Sequence, residues 1–163
     1  MNKNFNVVIT MVSKFLDKIA GWIMVATMAL IVGNIFLRSF FKQPILGTYE
    51  YAGFLTALII GLSLAYCAVQ NGHIAITFIA ERFSRGVQYV IDVVIGIISF
   101  IFLSLATWHT GKYAYSMVLS GEVAPTTKTP FYPFIYLVAF GLCMLSLVVL
   151  FKLIELIRKG VKA

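Results

Sequence analysis

Charge is scarce in this chain. Only 12% of its 163 residues are Asp, Glu, Lys or Arg, and none of these, nor either histidine, falls near the middle of its long apolar runs. An ionisable group at membrane depth is the usual mark of an ion or proton pathway, so the runs carry no obvious relay. Cysteine is scarcer still. Cys67 and Cys143 form no CxxC motif and no pair in an exported loop, which excludes a dithiol oxidase and leaves both as small packing residues. The two histidines, His73 and His109, lie near opposite surfaces and cannot supply a ligand pair for haem or a metal. These absences argue against an enzyme and predict neither a cofactor nor a metal site.

What the chain has instead is apolar length. Four stretches, 19–37, 51–69, 87–109 and 131–151, approach or reach the roughly 20 residues that a helix needs to cross about 30 Å of hydrocarbon. Lipid offers no hydrogen-bond partners to a bare backbone, so each is read as a transmembrane helix. With 61% hydrophobic residues and a mean hydropathy of +0.96, the composition lies far from that of a soluble domain. The segments left over are too short to fold separately. The expected fold is an all-α integral membrane protein, one membrane domain over 1–163, with four transmembrane helices and short interfacial amphipathic helices.

A net charge of +7 invites a nucleic-acid reading, but the basic residues flank the apolar runs rather than lining one soluble face. No nucleic-acid partner is expected. Lys3, Lys14, Lys18, Arg82, Arg85, Lys152, Arg158, Lys159 and Lys162 fall on one side, and Arg38, Lys42, Lys112 and Lys128 on the other. By the positive-inside rule this bias puts both termini and the middle loop in the cytoplasm of a multi-pass membrane protein.

Two segments outside the spans have amphipathic character. In 4–18, Phe5, Val8, Val12 and Phe15 recur every three or four residues against a polar remainder, describing a helix lying in the membrane interface. A simple extension of the first span fits the same residues. In 73–83, Asn71-Gly72 supplies a turn, His73 begins the segment, and Ile74, Phe78, Ile79 and Phe83 form an apolar side. A lone histidine at a turn is read as a capping group.

The spans also carry packing and boundary signals. Gly53, Ala57, Gly61 and Ala65 recur every fourth residue, a ridge of small side chains that lets another helix approach, whether within this chain or in a partner. Arg38 ends the first span and Glu50 begins the second, and a loop containing Pro44 and Gly47 turns the chain between them. The two charges are placed either to pair across the hairpin or to snorkel separately. Asp92 is the one acid that intrudes on a span, near its cytoplasmic end, with Lys18, Arg82 and Arg85 as possible partners. Tyr and Trp collect at both sets of span ends, as expected for interface anchors facing membrane lipid.

Arg38, Pro44, Gly47-Thr48 and Glu50 across the first hairpin, Gly72-His73-Ile74 after the second span, and Ser120-Gly121-Glu122 with Pro125 and Pro130 before the fourth recur in one order around four spans. This pattern resembles the small, DctQ-like membrane subunit of tripartite ATP-independent periplasmic (TRAP) transporters over nearly the whole chain. One departure is Thr77, where the family often has an acid after the Gly-His motif. The resemblance implies a secondary active transporter of bacterial or archaeal inner membranes. In that family a periplasmic binding protein delivers an organic acid, such as a C4-dicarboxylate or a sialic acid, to the membrane. A large polytopic subunit then moves it with a sodium gradient while the small subunit braces that partner. Gly47, Thr48, Ser120, Gly121 and Glu122 would be docking candidates for the binding protein. The competing reading is an independent four-helix transporter or exporter, which would be expected to carry a coupling acid more central than Asp92.

Overall fold

Apolar residues without proline favour uninterrupted helix wherever hydrocarbon removes competing hydrogen-bond partners. The computed structural model describes residues 3–70 and 85–160. Within them lie α1 (Lys3–Phe41), α2 (Thr48–Val69), α3 (Arg85–Ser120) and α4 (Tyr132–Gly160). Each contains a segment long and apolar enough to cross a membrane: Ile9–Phe41, Thr48–Val69, Gly86–Ser120 and Tyr132–Arg158. The chain is an all-α, multi-pass membrane protein. The expected interfacial helix 73–83, with Gly72, His73 and Thr77, lies outside the described residues.

The first helix departs from the expected division. Its 39 residues run through positions 18 and 19 without a break, giving a rod about 58 Å long. Ile9, Ser13, Leu16 and Ala20 are all buried. Their spacing of four, three and four keeps them on one helical face, so the inward stripe continues across the expected boundary. Segment 4–18 is therefore joined to the first span in a single helix.

Packing arranges the helices in a row. α1 packs on α2, α2 on α4 and α4 on α3, with only slight contact between α1 and α4. The core accordingly follows the central pair. Ile9, Ala65, Ala68, Leu145 and Val148 form one buried cluster, and Leu16, Ala20 and Leu62 form a second. By contrast, Ala114 is the only buried side chain among those described in α3.

Inter-helix contacts fasten α2 to α4 and α4 to α3. At the crossing of α2 and α4 the Gly61 and Gly141 backbones touch: a Cβ on Gly141 would overlap the Gly61 carbonyl, and one on Gly61 would lie 3.1 Å from Val138 Cα. At the far end of α2, Lys152 of α4 donates to the Ala68 carbonyl. A cation there meets a carbonyl of the last helical turn and the negative end of the helix dipole. Between α3 and α4, Ser104 and Ser146 share a hydrogen bond of 3.2 Å, and Leu153 fills the space beside Gly96.

Candidate interface sites at the rim and the helix seam

The loop before α2 and the loop before α4 meet at one end of the row, and Glu50 joins them. Glu50 stands in the first turn of α2, where the helix dipole favours an acid. Its Oε1 accepts a hydrogen bond from the Thr126 amide at 2.8 Å. Its Oε2 accepts from the Thr127 amide at 3.0 Å and from the Thr127 hydroxyl at 2.8 Å. An ionised carboxylate is acceptor-only, so three converging donors suit it.

Local folding presents those donors. Ala124 N donates to Thr129 O, and Lys128 N to Ala124 O, each at 2.9 Å. Val123 and Pro130 pair as an isolated antiparallel bridge. Together these close a tight loop that turns the Thr126 and Thr127 amides toward Glu50. Ala124 is fully buried beneath it. Gly47 faces the same loop with a φ of 76°, and a Cβ there would overlap the Thr127 methyl. Both the left-handed backbone and the close approach therefore require glycine. Thr48 continues the cap, its hydroxyl donating to Ile45 O at 2.8 Å. Tyr51 and Thr129 share a hydroxyl contact of 3.4 Å. Below them Phe54 stacks on Phe134 at 4.5 Å and meets Phe131 edge-on at 5.2 Å.

Arg38 does not join this cluster. It is exposed at the end of α1, and no ion pair between Arg38 and Glu50 occurs among the described residues. The carboxylate turns toward the Thr126 and Thr127 amides of loop 121–131 rather than across its own hairpin. The hairpin is tied instead by Asn34, whose side-chain oxygen accepts from Ile45 N at 2.8 Å. Ser120 ends α3, Gly121 stops the helix with a φ of 64°, and Glu122 is exposed beyond it.

Along α2 the ridge of small residues divides. Gly61 and Ala65 are buried, Gly61 at the α4 crossing, while Gly53 and Ala57 are exposed. The cause is geometric. At 3.6 residues per turn each step of four advances about 40° around the helix, so Gly53 stands about 80° from Gly61 and faces away from α4. Asp92 is exposed on α3, on the opposite flank of the central pair from α1, which carries Lys18. The described residues hold no group of three or more His, Cys, Asp or Glu able to bind a metal ion.

Sequence reasoning missed four residues that the geometry makes important: Thr126, Thr127, Gly141 and Lys152. Gly141 carried a readable signal as a glycine amid the large side chains of its span, where a missing Cβ marks close backbone approach. The two threonines sit 76 and 77 positions from Glu50, and nothing local announces their partner.

A comparison with curated proteins gives no match. A family model described as "Tripartite ATP-independent periplasmic transporters, DctQ component" matches residues 12–159. That match spans all four helices, the rim loops and the α2–α4 seam. The chain belongs to the DctQ component family of the tripartite ATP-independent periplasmic transporters.

Proposed function

We propose that this chain braces the large membrane subunit of its transporter and that its rim helps to dock the periplasmic binding protein during sodium-driven uptake of an organic acid. The observation that carries the reading is the row of helices. A strongly fastened centre with broad apolar flanks suits a scaffold whose sides are covered by another membrane protein and by lipid. On this reading the exposed half of the ridge, Gly53 and Ala57, faces outward where a second chain can approach. The rim cluster of Gly47, Thr48 and Glu50 with loop 121–131 lies on the periplasmic side, and both termini lie in the cytoplasm of a bacterial or archaeal inner membrane. C4-dicarboxylates and sialic acids are the substrate types in view.

Affinity purification of the tagged chain from mild detergent, with mass spectrometry of what accompanies it, tests this reading. Recovery of a much larger polytopic protein in equal amount supports it. Recovery of this chain alone, with solute flux when it is reconstituted by itself, replaces it with an independent carrier.

A further inference from the structure

We propose that the groove between α3 and α4 is a binding site for an anionic glycerophospholipid, with one acyl chain in the groove and the phosphate at Lys112. The groove has a volume of about 590 Å³ and is lined from Phe100, Leu147 and Leu150 at one end to Lys112 and Tyr115 at the other. From Phe100 to Lys112 the helical rise covers about 18 Å, close to half of a bilayer core about 30 Å thick. The groove therefore spans one leaflet, and its cation stands at headgroup depth.

The walls are apolar in effect although they contain hydroxyls. Thr107 donates back to Leu103 O, and Ser104 and Ser146 bond to each other, so these groups are satisfied within the protein. At the mouth, Trp108 and Tyr115 are exposed beside Lys112, and amphipathic rings of this kind favour the headgroup layer. Among the described residues no carboxylate pairs with Lys112, so an anionic headgroup supplies the missing counter-charge. Charge favours lipid over an apolar partner helix, because Lys112 at the mouth is matched by a headgroup phosphate at the same depth.

Trp108 provides an internal reporter. The full-length chain carrying Trp22→Phe is placed in phosphatidylcholine vesicles containing either brominated phosphatidylglycerol or brominated phosphatidylcholine, and quenching of Trp108 is followed. The anionic lipid is expected to compete for the site about fivefold better, the factor for one basic residue near the headgroups. Lys112→Gln removes that preference and Lys112→Arg keeps it. Equal quenching by both lipids, or a preference that survives Lys112→Gln, overturns the proposal. So does a photoreactive cross-linker on Cys143, in native membranes, that captures protein and no lipid.

Discussion

Where α2 crosses α4, Gly61 and Gly141 are buried against each other's backbones, whereas α1 and α3 turn Trp22, Met28, Phe36, Ile98, Phe102 and Leu105 outward. The same apolar composition thus serves two purposes. In hydrocarbon a leucine gains nothing by leaving lipid for another leucine, so cohesion comes from close backbone approach, interhelical hydrogen bonds and shape. Small residues let the two central backbones meet, Leu62, Leu145 and Val148 fill the core beside them, and large residues on the flanks are left for lipid or a partner chain. Burial and backbone approach, more than hydrophobicity, separate the two regions.

The difference can be broken at its tightest point. Gly141→Leu should cost the most, at least the roughly 1–3 kcal/mol of overpacking, because neither backbone at the crossing can yield. Loss of monodisperse protein in detergent, or a sharply lowered melting temperature, is the expected readout. Glu50→Gln should act next, and locally. With its charge removed, the carboxamide keeps one good acceptor oxygen for three donors, and hydrogen exchange at Thr126 and Thr127 should rise about tenfold while the α2–α4 seam stays protected. Binding-protein-dependent uptake should fall with it if the rim is the docking surface.

The other two variants sharpen the contrast. Ala57→Leu lies on the exposed half of the ridge and should change the stability of the chain by no more than about 0.5 kcal/mol. Its effect should show in co-purification of the large subunit, and a normal complex would put that interface elsewhere. Ser104→Ala should be comparably mild and confined to the chain itself, about 0.6 kcal/mol by the average for polar contacts inside membranes, read as a small shift in melting temperature.

Much of the architecture was legible because the bilayer dictates it. Span length and composition follow from hydrocarbon thickness, and four helices appear where four apolar stretches predict them. Their ends were harder to read. α3 continues to Ser120 because His109, Thr110 and Lys112 end compatibility with lipid without ending helix, and the stop comes only where Gly121 turns left-handed. The ridge on α2 was visible as a spacing, but spacing does not reveal where a drifting stripe leaves its neighbour. Glu50 was recognisable as a rim charge, yet its partners depend on how a distant loop folds. Nearness in sequence offered Arg38 as its partner or separate snorkelling, and neither reading contained the distant loop.

The three ties along the central pair, Glu50 to Thr126 and Thr127, Gly61 against Gly141, and Lys152 to Ala68, also have a mechanical meaning. Held through the loop before α4 at one end, by backbone contact in the middle and by a side chain at the other end, α2 and α4 resist sliding and scissoring as one beam. If the chain braces a larger subunit as proposed, whatever rocks or slides beside it would do so relative to this beam, and the beam would serve as the stator.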